Sequence, residues 1–284
     1  MQTKPQITGI ICAVLSALLM GTIGVFSKIL GMPAETITFF RLILGAIFMF
    51  IYLGASGQLK HISIRPSLPV YINGALLAGF IIFYVQAMNY TTMANAIMLV
   101  YLAPLTSSVF AHFFMGEKLN FSAILLILLA LLGFSMMLEF NLDLGGNRQR
   151  LFGIGLAALA MLCYSGFILV NRVISDHVNR STFYQLLTGG IIMMPFFLCD
   201  MPEIVGLQWL LILGVGFLPG FLGIFFAVIA LRNLNASTFG TLAYFEPLAV
   251  VLFGWILFNE TLSFLQISGC LLILLCGIIK ATRM

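Results

Sequence analysis

Two charged side chains lie inside segments that are otherwise apolar enough to cross a lipid bilayer. Glu246 lies well inside one such segment, and Arg41 lies near the start of another. A carboxylate at that depth is costly in lipid, so Glu246 must face a cavity or a partner. The position of Glu246 predicts that its carboxylate either contacts the amine of a substrate or binds a proton. The structural alternative is a hydrogen bond to a neighbouring helix.

The guanidinium of Arg41 also has a functional and a structural interpretation. Its long side chain can reach the membrane interface or point into the protein. A functional Arg41 would bind a substrate carboxylate or form a gate. A structural Arg41 would cap a helix end or pair with Glu246, and both interpretations stay open at this point.

Two prolines stand at corresponding places in two apolar segments. Pro104 and Pro247 lack a backbone N–H, so the carbonyls of Val100 and Ala243 lose their helical partners. In a membrane such carbonyls are tolerated only beside a cavity or a group that satisfies them. Matching breaks therefore predict hinges next to a binding site. The alternative is a plain packing kink.

A further set of polar-tipped side chains lies within the apolar segments. They are Tyr84, Gln86, Asn95, Tyr101, Tyr164, Thr241 and Tyr244. Some are expected to line a substrate pathway. The alternative for each is a bond between helices, because hydroxyl and amide groups in lipid find protein partners.

The composition excludes a soluble protein. Of the 284 residues, 62% are hydrophobic and 8% are charged, and the mean hydropathy is +1.14. Soluble domains are about 25% charged. The basic residues lie singly between apolar runs, which argues against nucleic-acid binding.

The sequence lacks the motifs of common hydrolases, metal sites and nucleotide-binding proteins. The five cysteines lie in apolar stretches, without the spacing of a zinc site or a paired framework. H-E-x-x-H, G-x-S-x-G and nucleotide-binding loops do not occur in the sequence, and its three histidines are scattered. We therefore expect no enzyme, no metal, no cofactor and no direct use of ATP.

Ten apolar runs are long enough to span a membrane, for which about 20 residues are needed. Runs of this length without strict alternation predict helices and not a barrel. The predicted spans are 7–29, 35–54, 69–89, 93–115, 121–139, 152–174, 181–199, 207–230, 237–258 and 264–281. The connections are short, so residues 1–284 are predicted to form one all-α transmembrane domain.

Basic residues near the span ends predict the orientation. With a cytoplasmic N-terminus, nine of the 13 basic residues face the cytoplasm, three face the other side, and Arg41 lies within a span. Both termini are therefore predicted to be cytoplasmic.

The sequence contains an internal repeat. Residues 143 positions apart match as Tyr101 and Tyr244, Pro104 and Pro247, Glu117 and Glu260. A shift of 144 aligns the earlier spans. Each half, 7–139 and 152–281, then carries five spans, and an odd number inserts the second half in the opposite sense. Inverted repeats are typical of secondary transporters that bind substrate near the midplane.

The predicted site is asymmetric between the repeats. Glu246 corresponds to Ala103, and Arg41 corresponds to Gln185, so both charges lack a charged counterpart.

The glutamates that close the fourth and ninth spans have a simpler interpretation. Glu117 and Glu260 precede Asn120 and Ser263, which can cap the helices that follow. We interpret both glutamates as turn residues, with Glu117 on the cytoplasmic side and Glu260 outside.

Three stretches carry a family resemblance. They are Phe39-Phe40-Arg41-Leu42, the run from Ala94 to Glu117 with its Tyr-Leu-Ala-Pro, and Tyr244-Phe245-Glu246-Pro247 continuing to Glu260. With the repeat, they resemble the EamA-type families of the drug/metabolite transporter superfamily. The resemblance covers essentially the whole chain. It implies a ten-helix carrier of the bacterial inner membrane that exports amino acids or related metabolites.

These observations predict a secondary transporter that works by alternating access, with a small-molecule substrate and the lipid bilayer as its partners. An aromatic-rich cavity with one acid and one base suits a small zwitterion, amino acids first. Proton coupling through Glu246 and uncoupled facilitation both stay open. A ligand-sensing or scaffold protein without transport turnover is the alternative, and a flux assay separates the two.

Overall fold

The computed structural model describes residues 4–141, 148–199 and 201–282, and every regular element in these ranges is helical. Nine helical stretches in them are long and apolar enough to cross a membrane. A further apolar helix, Phe121–Met137, is shorter. These stretches coincide with the predicted spans, and the prediction of an all-α membrane protein is confirmed.

We number the α-helices in chain order. They are α1 (Lys4–Leu30), α2 (Ala34–Ala55), α3 (Lys60–Ser63), α4 (Leu68–Met88), α5 (Met93–Val100), α6 (Ala103–Met115), α7 (Phe121–Met137), α8 (Arg148–Val173), α9 (Val178–Cys199), α10 (Gln208–Val215), α11 (Gly223–Asn233), α12 (Ala236–Ala243), α13 (Phe245–Phe258) and α14 (Phe264–Thr282). A π-helical segment, Gly216–Leu222, joins α10 to α11.

Some boundaries differ from the predicted ones. Helix α1 begins at Lys4 and α8 at Arg148, each a few residues earlier than predicted. The short helix α3 was not predicted at all. The length of an apolar run reflects the thickness of the lipid core and not the full length of the helix. Polar helical turns at the membrane interface are therefore not predicted from it.

The eighth span changes its winding around Pro219. Proline cannot donate its helical hydrogen bond, and a π-turn absorbs such a defect without ending the helix. Gly216 and Gly220 of this segment approach α2 closely, where added Cβ atoms would collide with Leu44 and with the carbonyl of Arg41. The segment therefore packs directly on the helix that carries Arg41.

The helices pack across the two halves of the chain. Helix α1 packs on α11 and α13, and α8 packs on α4 and α6. Helix α2 packs on α9, and α7 packs on α14. The 143 and 144 shifts map α1 onto α8, α11 onto α4 and α13 onto α6, so they convert the contacts of α1 into those of α8. They also map α2 onto α9 and α7 onto α14, so each of these two pairs maps onto itself.

The outer surface of the bundle is strongly apolar. Phe113, Phe121 and Phe264 are 75%, 79% and 86% exposed. Large aromatic side chains on an outer surface fit a lipid environment and not water. The protein is therefore a multi-pass membrane protein.

Candidate functional site

Two spans are broken near their middle. The fourth span consists of α5 and α6, separated by Tyr101 and Leu102, and the ninth consists of α12 and α13, separated by Tyr244. Pro104 and Pro247 lie in the first turns of α6 and α13. N–H groups there have no partner in their own helix, so proline is tolerated. The breaks adjoin the two prolines, whose hinge role stays a prediction.

The two breaks contact each other. The Tyr244 hydroxyl donates a hydrogen bond of 2.6 Å to the Tyr101 carbonyl, and the two rings lie 5.6 Å apart. Gly240 of α12 lies against Pro104, where an added Cβ would come within 2.7 Å of the proline ring. Tyr244 is fully buried and its hydroxyl joins the two halves, and its role toward a substrate stays a prediction.

The two predicted charges are brought together beside the breaks. Glu246 lies half-buried in the first turn of α13, and Arg41 of α2 is 8% exposed. Their charges are close enough to interact. The Nε of Arg41 is enclosed without a hydrogen-bond partner among the described residues. No ion pair or hydrogen bond between described residues joins the two side chains.

Three tyrosine side chains interact electrostatically with the Glu246 carboxylate. Tyr84 of α4, Tyr101 and Tyr164 of α8 all lie within electrostatic range of it. The ring of Phe80 stacks on Tyr164 with centroids 4.9 Å apart. Aromatic rings and phenol groups thus lie in the same part of the bundle as the charged pair.

The remaining predicted polar residues hydrogen-bond locally. Asn95 donates 3.1 Å to the Thr91 hydroxyl, and Gln86 accepts 3.4 Å from Asn89. Thr241 donates 2.9 Å to a carbonyl one turn earlier in α12. The described contacts do not join these three side chains to Arg41 or Glu246. Their predicted substrate role is untested.

The repeat partners of the two charges are deeply buried. Gln185, which corresponds to Arg41, donates 2.9 Å to Asn171 and is fully enclosed. Ala103, which corresponds to Glu246, is also fully enclosed, and its carbonyl accepts from Ser165. Arg41 and Glu246 therefore have uncharged and fully enclosed counterparts in the other repeat.

Two ion pairs, one at each end of the bundle, were not predicted from the sequence. Glu117 pairs with Arg172 of α8, and Glu260 pairs with Lys28 of α1. We call the corresponding ends of the bundle the Glu117 end and the Glu260 end. The interpretation of both glutamates as turn residues only was wrong, because each bonds a helix of the other half. The signal was in the sequence, since Lys28 and Arg172 are 144 positions apart.

Of the two helix caps predicted in these loops, one is formed and the other is not. Ser263 accepts a hydrogen bond from the backbone of Gln266, whose side chain accepts from Ser263 in return, so Ser263 caps α14. Asn120 has the position of a cap before α7 but makes no such bond. That second cap was therefore predicted wrongly.

The Glu117 end carries further polar contacts. Asp176, in the connection between α8 and α9, pairs with Arg180 and accepts bonds from Ser67. Burial alone would raise the pKa of Asp176, but the bonds from Ser67 and Arg180 outweigh it and lower the pKa. Arg232 of α11 donates to the Asp176 carbonyl and to Ser181. Helices of both halves are thus held together at this end.

Metal chemistry finds no support in the parts of the chain that the structure describes. These ranges contain no group of three or more His, Cys, Asp and Glu side chains that could hold an ion.

The sequence matches one family model twice. The model describes the EamA-like transporter family and matches residues 7–138 and 151–279. The chain belongs to the EamA-like transporter family. The two matches follow one another and together cover nearly all of the chain.

Named relatives of this EamA-like protein are transporters. It is 30% identical to an uncharacterized transporter of Archaeoglobus fulgidus, over 95% of this chain and 94% of that protein. It is 27% identical to the threonine/homoserine exporter RhtA of Salmonella typhimurium, over 88% and 80%. It is 22% identical to the pseudopaline exporter CntI of Pseudomonas aeruginosa, over 95% of each chain.

A solved structure has the same fold. A protein of known crystal structure superposes with a TM-score of 0.86, over 97% of this chain and 98% of that one, at 21% identity. The helical arrangement of this EamA-like protein therefore occurs in a solved structure.

Proposed function

We propose that this protein is a secondary transporter that exports small zwitterionic metabolites, amino acids first, by alternating access. The observation that carries the proposal is the pair of unneutralised charges beside the two breaks. Arg41 and Glu246 interact electrostatically but share no direct bond. A guanidinium suits a substrate carboxylate, and a carboxylate suits a substrate ammonium.

The surroundings of the pair favour a small ligand with an apolar part. Tyr84, Tyr101 and Tyr164 border the carboxylate, and Phe80 extends the aromatic surface. Small-molecule sites are commonly apolar and aromatic, with a few polar groups that fix orientation. One of the relatives is named as an exporter of threonine and homoserine, which are amino acids and so zwitterions.

The architecture favours alternating access. The family model matches two successive halves, and the helix packing is preserved when the halves are exchanged. We infer an inverted repeat of five spans each, with the Glu117 end in the cytoplasm of a bacterial cell and both termini on that side. Nine of the 13 basic residues then face the cytoplasm.

Transport is favoured over sensing or scaffolding because the relatives are named as transporters and exporters. The test is flux of labelled amino acids and other metabolites in proteoliposomes, with empty liposomes as the control. We expect saturable flux of at least one amino acid. Binding without flux across the whole panel would instead support a sensor or scaffold.

The same assay addresses coupling. Flux accelerated by an imposed pH gradient, and insensitive to it after Glu246→Gln, would assign Glu246 to proton coupling. Flux that ignores the gradient in the unaltered protein would indicate facilitation.

A further inference from the structure

A polar cavity of about 280 Å3 opens at the Glu117 end, at a distance from the charges beside the breaks. The starts of α7 and α12 and the end of α14 surround it. Its lining includes Lys118, Lys280, Ser237 and Thr238. The site described above uses none of these residues.

One of the two lysines in this cavity, Lys280, has no counterion among the residues that the structure describes. Lys280 is 9% exposed, and its Nζ donates one hydrogen bond, of 3.1 Å, to the Ser237 hydroxyl. The ion pairs between described residues do not include it. The nearby Glu117 carboxylate is bound to Arg172 and to the backbone of Ala236. A buried ammonium without a counter-charge is costly, so an anion in the cavity would be stabilised.

A second lining group also lacks a partner. The Thr238 hydroxyl is fully enclosed and makes no hydrogen bond to a described residue. Lys118 adds an exposed ammonium at the rim. Two ammonium groups and hydroxyl donors are the chemistry that binds a phosphate group.

We propose that this cavity binds the phosphate of an anionic lipid headgroup. The helices beside it expose apolar faces, with Leu125 of α7 45% exposed and Leu275 of α14 56% exposed. Lipid therefore reaches the rim. Basic pockets between spans on the cytoplasmic side are known to hold such headgroups. The position equivalent to Lys280 in the first repeat is a methionine under either shift, Met136 or Met137, so the Glu260 end has no equivalent.

Thermal unfolding in vesicles of defined composition tests this proposal. We expect phosphatidylglycerol vesicles to raise the unfolding midpoint of the unaltered protein above its value in phosphatidylcholine. Lys280→Gln should lose at least half of that rise, and the exposed Lys60→Gln, at the same end, should keep it.

Inorganic phosphate added to phosphatidylcholine vesicles separates the two sources of phosphate. An equal, Lys280-dependent rise would assign the site to a free cytosolic anion and would overturn the lipid assignment. An unfolding midpoint that changes with neither lipid nor phosphate would overturn the site itself. An equal loss of the rise in Lys280→Gln and Lys60→Gln would also overturn it.

A second, independent inference concerns the ends of the broken spans. Helix α6 is followed by Gly116 and α13 by Asn259, both in the left-handed backbone conformation, with φ of 66° and 52°. Glu117 or Glu260 follows directly. Each glutamate pairs with the basic residue of the opposite repeat, Arg172 or Lys28, so the two ends are built alike.

Glu117 makes one contact that Glu260 does not make. Glu117 accepts a hydrogen bond of 3.0 Å from the N–H of Ala236, the first residue of α12. The equivalent bond at the other end would join Glu260 to the N–H of Met93, the first residue of α5, and it is not formed. The side chains of the Glu117 pair are 18% and 16% exposed, and those of the Glu260 pair are 49% and 50% exposed. The Glu117 contact is thus formed beside a largely buried ion pair, whereas the equivalent Glu260 contact is absent and its ion pair is about half exposed.

The helix caps leave these N–H groups available. Thr92 and Asn235 are the matching caps of α5 and α12, and each accepts from the third residue of its helix. The first N–H of each helix is thereby left for a partner outside it. A carboxylate is a favourable partner there, because helix N-termini carry partial positive charge.

We infer that the bond from each glutamate to the first N–H of the facing helix is a gate contact, and that the two gate contacts alternate. Arg172 and Lys28 are positioning residues that hold each glutamate in place. This inference rests on the proposed function. In the opposite state, Glu260 would bond Met93 while Glu117 released Ala236.

Hydrogen exchange followed by mass spectrometry measures both gate contacts without any substrate. Glu117→Gln should speed exchange at the start of α12 about three- to tenfold, because a charged acceptor is replaced by a neutral one. It should also slow exchange at the start of α5, as the other gate closes more often. Arg172→Gln should act in the same direction, and Glu260→Gln in the opposite one.

The reciprocal response is the decisive result. Faster exchange at α12 with no change at α5 would reduce Glu117 to a local helix cap and overturn the inference. Because no flux is measured, this outcome is independent of whether a transported substrate is found.

Discussion

Replacing Glu246 with Gln should lower saturable amino-acid flux by at least tenfold. The change preserves shape but removes the charge that would bind a substrate ammonium, and hydrogen bonds to charged groups contribute about 1.5–3 kcal/mol. A loss of about 1.4 kcal/mol is tenfold in affinity. Arg41→Gln should have an effect of similar size, through the substrate carboxylate. Initial rates in proteoliposomes measure both.

Substrate analogues separate the roles of the two charges. An analogue without the amine should compete poorly with substrate in the unaltered protein, and the Glu246→Gln variant should discriminate against it less. Glu203→Gln, in an exposed connection, is the matched control and should transport normally. Unchanged flux of every amino acid after replacement of both Glu246 and Arg41 would refute the zwitterion site.

Replacing Gly133 with Leu should cause a large loss of stability. Helices α7 and α14 cross at Gly133 and Gly269, where an added Cβ on Gly133 would lie 2.9 Å from the Gly269 carbonyl oxygen. Backbone cannot move aside as a side chain can, and overpacking of this kind costs about 1–3 kcal/mol. We expect a clearly lower midpoint of heat-induced aggregation for purified protein in detergent.

The control for this effect is another helical glycine. A Cβ on Gly155 of α8 would meet nothing within 4 Å. Gly155→Leu should therefore leave the midpoint nearly unchanged. Equal losses for both variants would mean that lost backbone flexibility, and not the α7–α14 crossing, determines the effect.

The sequence predicted the spans well because lipid makes one demand on all of them. Each must bury its backbone groups in a helix about 20 residues long, and apolar length alone reveals that. The π-helical segment at Pro219 was not predicted. A proline in a span can be accommodated by a kink, a break or a change of winding, and the choice depends on the packing against α2.

The candidate roles of Arg41 and Glu246, which stay predictions, also have a physical reason. An ionisable group deep in a span is costly, so Arg41 and Glu246 could be singled out without knowing any neighbours. Asn95 and Thr241 carry no such cost, because their side chains can bond within one turn of their own helices. Polar side chains that can be satisfied locally give little information about a site.

The contacts between the halves were beyond the sequence. Tyr101 and Tyr244 were matched as repeat partners, yet the alignment gave no reason for them to touch each other. The ion pairs of Glu117 and Glu260 were missed because pairing depends on which helix ends meet in space.

The pairing of one guanidinium with one carboxylate beside the breaks has an electrical consequence. When both are ionised, the site carries no net charge, and neither does a zwitterion bound to it. A membrane potential does work of about 2.3 kcal/mol per 100 mV only on a net charge that crosses the bilayer. Return of the empty carrier and export of a zwitterion are then both electrically silent, and a current through this protein would signal an accompanying ion, such as a proton.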